Sequence, residues 1–312
     1  MNKFIKNMTG LLFLASSIYT MGASENQNTT EIQLLRNATM RIKYNGKMIL
    51  TDPLLAPKNS YFGYLPENQN KLVSPTSDLP ISAEDAIKNI DAILVSHTHI
   101  PDSGKLDFAY SDHFDQKAIE IIDKNTSLFI QPFDSKGLKA SGFNNLTTID
   151  KTFSWEGISF ERFEVLHTSV PVLKPIVGDV SGYVLRADNQ PTILWTGDTV
   201  LTEEVKNKIT SVNPDIIIIH PAKAQKPLTN EEKEQFKAMG MPVEKDVKNL
   251  TLLIGAEEAI EIAKLAPKAK IVAVHMESTD HSTVTRKDLK EKIKAAGVTN
   301  IIVPENGETL KF

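Results

Sequence analysis

Histidine is scarce in this chain, seven in 312 residues, and cysteine is absent. A metal ion held by its side chains must therefore take imidazole and carboxylate ligands. Several of the histidines close short apolar runs: His97 follows Ala92-Ile93-Leu94-Val95-Ser96, His167 follows Phe163-Glu164-Val165-Leu166, His220 follows four isoleucines, and His275 follows Ile271-Val272-Ala273-Val274. Asp198 stands likewise after Ile193-Leu194-Trp195-Thr196-Gly197. Polar side chains at the ends of buried strands converge on one rim of a sheet. In Ser96-His97-Thr98-His99 the two imidazoles sit at i and i+2, and in extended backbone such side chains point the same way, so both can reach one ion. Asp112-His113-Phe114-Asp115 opens an expected helix, where backbone N–H groups and the helix dipole steady a carboxylate.

The elements that must position these groups are legible as an α/β pattern. Ile32–Arg36 and Thr39–Tyr44 read as strands, and Asn45-Gly46 before Lys47–Leu50 is a hairpin signal because a type I′ turn needs positive φ at both central residues. Residues 55–80, rich in Pro, Asn, Ser and Tyr, read as a long ordered loop of the kind that often carries function. Ser82–Ile87 reads as a capped helical turn, Ala92–Val95 as a buried strand, and Asp115–Lys124 as a helix with Ala118, Ile119, Ile121 and Ile122 on its apolar side. Further strands are expected at Leu128–Ile130, Leu146–Ile149, Ile158–Val165, Gly182–Leu185 and Thr192–Trp195. Beyond Leu201 helices (203–208, 257–265, 286–296) alternate with strands (216–219, 271–274, 301–303). The pattern is that of central sheets with helices outside.

Composition is that of a soluble globular protein, 41% hydrophobic and 24% charged. A net charge of −4 leaves no basic surface for nucleic acid. At the start, Lys3 and Lys6 precede the apolar run Gly10–Ala15, and the small residues Gly22, Ala23 and Ser24 follow, the order of a secretory signal peptide. The expected division is a signal peptide over 1–23 and one domain over 24–312, periplasmic or secreted and free of the membrane after cleavage. Removing two lysines and no acid takes the charge from −4 to −6.

Taken together, the motifs resemble the metallo-β-lactamase-fold hydrolases, and within them the branch of L-ascorbate-6-phosphate lactonase, over residues 31–312. Leu35-Arg36-Asn37-Ala38-Thr39, Tyr44-Asn45-Gly46 and Leu50-Thr51-Asp52-Pro53 are similar to that branch's opening hairpin. Thr196-Gly197-Asp198-Thr199 is similar to its bridging-aspartate segment, and Val274-His275-Met276-Glu277 with His281 and Thr285-Arg286 to its closing motif. The resemblance implies a four-layer αββα sandwich, one metal held by His97, His99 and His167, a second held by Asp112, His113 and His275, and Asp198 bridging them. The family's compact His-x-His-x-Asp-His is departed from here: Ile100 to Ser111 separate His99 from Asp112, an insertion expected to loop out and return. Asp102, the rival ligand, is one position late and lacks a following His. Zn²⁺ suits this ligand set, two ions per chain, with Mn²⁺ or Fe²⁺ also compatible.

The resemblance and the leader-like start together imply an exported binuclear hydrolase in which two ions about 3.5–4 Å apart share a hydroxide. Its substrate is expected to be a small ester, lactone, amide or phosphoester. Counting +4 for two ions, −2 for Asp112 and Asp198 and −1 for hydroxide leaves about +1, which favours an anion. Asp112 would position the hydroxide and take a proton. His281 could hydrogen-bond substrate or a ligand, or be a plain loop histidine; His220 is expected to be structural or to line the pocket; Asp52 is expected to orient a ligand. Loop 55–80 and insertion 100–111 are expected to form the pocket rim. Alternatives are an exported non-catalytic binding protein that keeps a metal site, and a β-lactam hydrolase. A di-iron oxygen-reducing enzyme of this fold would need Glu in place of the second histidine and a flavin domain, and a nuclease would need a basic clamping domain. Neither pattern is present. Oligomeric state is not legible in the sequence.

Overall fold

Asn45 and Gly46 take φ of 49° and 74°, and this left-handed pair turns the chain tightly enough to pair the strands on either side. In the computed structural model, residues 29–106 and 111–312 are described; the expected signal peptide lies outside them. The opening strands are β1 (Glu31–Arg36), β2 (Thr39–Tyr44) and β3 (Lys47–Thr51), all antiparallel neighbours. Within the long loop, β4 (Tyr61–Phe62) pairs with β5 (Leu72–Ser74). Helix α1 (Ala83–Ala86) leads to β6 (Ala92–Leu94), α2 (Gln116–Ile121), β7 (Ser127–Ile130), α3 (Ser135–Ala140) and β8 (Leu146–Thr148).

The second half contributes β9 (Thr152–Trp155), β10 (Ile158–Val165), the short α4 (Lys174–Val177), β11 (Val180–Arg186) and β12 (Ile193–Trp195). Then come α5 (Glu203–Val212), β13 (Ile216–Ile219), β14 (Gln225–Pro227), α6 (Asn230–Ala238), β15 (Asn249–Thr251) and α7 (Ala256–Leu265). The chain closes with β16 (Lys270–Ala273), α8 (Arg286–Ala296), β17 (Ile301–Ile302) and β18 (Thr309–Lys311).

Two seven-stranded sheets result, in the orders β18-β1-β2-β3-β6-β7-β8 and β17-β16-β13-β12-β11-β10-β9. Their facing sides bury Ile32, Leu34, Met40, Ile42, Ile49, Phe129, Phe160, Tyr183 and Trp195 between them. The four isoleucines of β13 show why this needs two layers of cover: Ile216 and Ile218 enter the inter-sheet core, while Ile217 and Ile219 face a separate core with Val205 and Ile209 of α5 and Ala259 and Ile262 of α7. A parallel strand buried on both sides reads as an unbroken apolar run. On the outer side of the first sheet, Leu50, Ile93 and Leu128 pack with Ala86, Ala118, Ile119 and Leu138. The layers are therefore helix, sheet, sheet, helix, the αββα sandwich expected from the resemblance.

Two local differences from the sequence reading have clear causes. Helix α2 is shorter than 115–124: Asp115 is its cap, accepting from Ala118 N at 2.8 Å, and the chain turns extended at Ile122. Residues 225–251 form a hairpin with α6 between its strands, which hydrophobic periodicity did not signal because α6 is polar nearly all round. Its start is set by a capping box between Thr229 and Glu232. Among the described residues no helix is long and apolar enough to cross a membrane.

Candidate metal centre

Strands β10, β12, β13 and β16 all run the same way, since β10 and β12 are each antiparallel to β11 and the others pair in parallel. Their C-terminal ends share one rim, where His167, Asp198, His220 and His275 lie. The first sheet brings His97 and His99 to the same rim just beyond β6, and Asp112-His113 arrive immediately before α2. Asp198 Oδ2 lies 3.2 Å from His113 Nε2, 3.5 Å from His275 Nε2 and 3.8 Å from His167 Nε2. Asp112 Oδ2 lies 3.4 Å from His275 Nε2 and 3.6 Å from His113 Nε2. Two triads thus have ligand atoms within 4.8 Å of one another: His97, His167 and Asp198 in one, Asp112, His113 and His275 in the other. His99 is not in either triad; its ring stands edge-on 5.1 Å from that of His97 and faces the cleft above.

Proton bookkeeping tests whether this arrangement fits a metal. Asp52, fully buried, accepts from Ser96 N at 2.7 Å, from Ser96 Oγ at 2.6 Å and from His113 Nδ1 at 2.6 Å. Because the Ser96 hydroxyl gives its one proton to Asp52, its 3.0 Å contact with His97 Nδ1 is a bond donated by the histidine. His167 Nδ1 donates to the Leu252 carbonyl at 2.9 Å. His97 and His167 therefore turn a bare Nε2 inward, and His113, with its Nδ1 proton on Asp52, presents its Nε2 to the same space. His97 Nε2 is buried without any hydrogen-bond partner, and His113 Nε2 stands 3.1 Å from His275 Nε2. Imidazole nitrogens and carboxylate oxygens crowded into one buried space, with His97 Nε2 unpartnered, form a donor set that fits a cation.

The electrostatics agree. Burial would raise Asp198 and Asp112, but the adjoining His113 and His275 hold both well below the ordinary carboxylate range. Burial would lower His113, yet Asp198, Asp112 and Asp52 push it well above the usual imidazole value, the mark of a site short of positive charge. Burial keeps His97 well below its ordinary value, lowers His99, and brings His167 to about 4, so these imidazoles are neutral near pH 7.

His220 is close enough to make a third triad with Asp198 and His275, but its nitrogens are both engaged. The Trp195 indole, which can only donate, gives its proton to His220 Nε2 at 2.9 Å, so His220 Nδ1 carries the proton that meets Asp198 Oδ1 at 2.5 Å. His220 aims the Asp198 carboxylate and has no lone pair left for an ion. Asn37 does the same for Asp112, donating to its carbonyl at 3.0 Å and its Oδ2 at 3.3 Å, while the Asn37 carbonyl accepts from His275 N at 2.9 Å. Nothing in the sequence marks Asn37, a turn asparagine, as the partner of a residue 75 positions away.

The insertion returns Asp112 and His113 to the centre, but its described residues form no rim. Ile100 and Leu106 are buried in the core beneath α2 and α3, and Gly104 (φ 73°) backs onto Ala140 and Ser141 so closely that a Cβ would lie 2.4 Å from the backbone. Asp102 is exposed, 3.6 Å from Lys136, away from the centre. The cleft over the centre, about 310 Å³, is lined instead by Tyr64 of the long loop, Ile176 and Val177 of α4, and Lys226, Leu228, Phe236, Leu250 and Leu252 of the 225–252 segment. His99, Asp112, His167, Asp198 and His281 face into it. His281 Nδ1 lies 3.4 Å from Asp280 Oδ1, and Asp280 is fixed by Tyr64 N, Leu65 N and Asn68 Nδ2 at 3.0 Å each.

The family model for the beta-lactamase superfamily domain matches residues 47–276, from β3 to the residue after His275. The chain belongs to the beta-lactamase superfamily. UPF0173 protein YddR of Bacillus subtilis is 32% identical over 283 residues, covering 90% of this chain and 99% of that one. Among solved structures, a possible metal-dependent hydrolase from Veillonella parvula is 29% identical with a TM-score of 0.75, covering 90% of this chain and 99% of that one. The isothiocyanate hydrolase from Delia radicum gut bacteria is 26% identical with a TM-score of 0.74, covering 90% and 98%. With this kinship and its His/Asp triads, the beta-lactamase superfamily chain is a metal-dependent hydrolase.

Proposed function

We propose that the protein is an exported binuclear hydrolase of small molecules, with His97, His99 and His167 at one ion, Asp112, His113 and His275 at the other, and Asp198 shared. The observation that carries this reading is the convergence of buried imidazole nitrogens on the Asp112 and Asp198 carboxylates, with His97 Nε2 left unpartnered among them. Zn²⁺ is the ion proposed, the ligand set being free of sulfur. When bound, a pair of such ions lowers the pKa of a shared water toward neutrality and polarises the electrophile.

The chain's own residues do the rest. Asp112, held by Asn37, accepts a proton as water adds to the substrate and returns it to the leaving group. Asp52 and His220 keep the ligands in the tautomer and orientation that face the ions. His281, lining the cleft and anchored to Asp280, hydrogen-bonds the substrate. Esters, lactones, amides and phosphoesters all present a suitable electrophilic centre. The lactone is supported by the motifs that resemble the ascorbate-phosphate lactonase branch, and the likeness to an isothiocyanate hydrolase adds a heterocumulene carbon to the candidates.

The test is elemental analysis of the purified protein together with a turnover screen over these substrate classes, with and without chelator. Two ions per chain and chelator-sensitive hydrolysis are expected; a well-folded chain that takes up no divalent ion would refute the reading. Export is tested separately, by N-terminal sequencing of the mature protein from the cell envelope or medium, where a start near residue 24 is expected.

A further inference from the structure

We infer that the cleft selects a neutral electrophile with an apolar tail, and that the segment 225–252 together with α4 makes that selection. This rests on the hydrolase reading for the reacting end of the substrate only; the tail-binding wall stands on its own. The cleft is two-sided in chemistry. Its floor is polar, with Asp112, Asp198, His99 and His167, and its wall is Ile176, Val177, Leu228, Phe236, Leu250 and Leu252. At about 310 Å³ it lies at the small end of ligand pockets. Ile176, on the lip, is 47% exposed, an apolar surface that a bound tail would cover.

Two observations set the charge. Lys226 is the one lysine or arginine among the described residues lining the cleft, and it is already matched: its Nζ lies 2.7 Å from Glu232 Oε1, and Glu232 is fixed in turn by Thr229 N at 2.9 Å. An anionic tail would find no unpaired cation there, and would lose its hydration against the apolar wall. At the floor, the count that favoured an anion omitted Asp52. This third carboxylate is buried against His113, and with it two divalent ions, a hydroxide and three aspartates come to zero formal charge. Among the described residues lining the cleft, no lysine or arginine is left unpaired to hold an anionic tail.

The experiment is calorimetric titration of the mature protein, metal-free and metal-loaded, with N-phenethylacetamide and with its para-carboxylate analogue, metal content being measured on each sample. The neutral amide is expected to bind at least tenfold more tightly than the carboxylate in both forms. Phe236→Ala and, as a second wall variant on another element, Ile176→Ser should each weaken the amide several-fold, with melting curves checking that both fold. Lys226→Met should change amide binding less than twofold. Carboxylate binding as tight as amide binding, dependence on Lys226, or no measurable amide binding would each overturn the inference. If the amide binds as expected to a protein that takes up no metal, the hydrolase reading fails and the wall assignment survives. If two ions bind and the carboxylate is preferred, the reverse holds.

Discussion

Asp52 Oδ2 and His113 Nδ1 meet at 2.6 Å inside the protein, 61 residues apart in the chain. The pair links the end of β3 to the residues before α2, and through Ser96 it also reaches His97. One carboxylate thereby fixes the tautomer of two proposed ligands, one at each ion. In Asp52→Asn an amide N–H would face His113 Nδ1 and drive its proton to Nε2, where the ion belongs. Metal affinity should fall about 10–100-fold, read by competition with a fluorescent chelator.

Asp198 Oδ2 reaches from one triad to the other, 3.8 Å from His167 Nε2 and 3.2 Å from His113 Nε2. Asp198→Ala should cut bound metal from two ions per chain to one or fewer, and lower turnover by more than the roughly 10²-fold limit seen for groups that only support a ligand. Elemental analysis and initial rates on the same preparation check this. Asp102→Ala, at the exposed rival position, should change neither.

Acid should act through the buried imidazoles. Burial brings His167 and His220 from 6.5 to about 4. Between those values the unfolded chain binds protons that the folded chain refuses, so the stability these two groups contribute falls as pH falls through that window and is gone below about 4. Each histidine accounts for up to about 3 kcal/mol. Denaturant titrations of metal-free protein should show a lower midpoint at pH 4 than at pH 5.5, a span in which His113, held high and protonated in both states, adds little. In the loaded protein, ion release should occur over the same range, since protons compete for the same lone pairs.

The insertion is expected to matter for folding more than for selectivity. Leu106, 1% exposed in the core under α2 and α3, should cost about 2–4 kcal/mol on truncation to alanine, with relative rates across a substrate panel unchanged. A shift in substrate preference at constant stability would return the rim role to this segment.

Arg36 should prove a pillar of the long loop. Fully buried, it donates to the carbonyls of Leu54 at 2.6 Å and of Ala56 and Ser77 at 2.9 Å, and its charge opposes that of buried Asp115. Asp115 in turn accepts from Leu55 N, Ala56 N and Ala118 N. Arg36→Met leaves that carboxylate without its cation and should destabilise the fold by about 3–5 kcal/mol, measured by urea denaturation.

The layered fold was legible because its strands obey simple periods: β13 is apolar at every position since both its faces are covered, and Asn45-Gly46 admits little besides a tight hairpin. The 225–252 segment was not legible, because α6 shows only Phe236 to the apolar wall and takes its stability from a cap and from the cleft it borders. Asn37 and Asp280 were missed for a related reason. Each is an ordinary turn or loop residue whose partners, Asp112 and the backbone at Tyr64 and Leu65, lie far away in sequence.

By itself the sequence determined the ligand types, since a chain without cysteine has only imidazole and carboxylate to offer, and it determined their placement at strand ends, since alternation and apolar runs are local properties. Tertiary structure alone decided how His220 is engaged, where the insertion went, and what the cleft presents. Those outcomes depend on single proton positions and on neighbours brought within 3 Å by sheet pairing, and no local pattern along the chain encodes such distances. His220 shows the difference: it closes an apolar run just as His275 does, the resemblance leaves it out of the ligand set without a reason, and the indole of Trp195 at 2.9 Å supplies that reason.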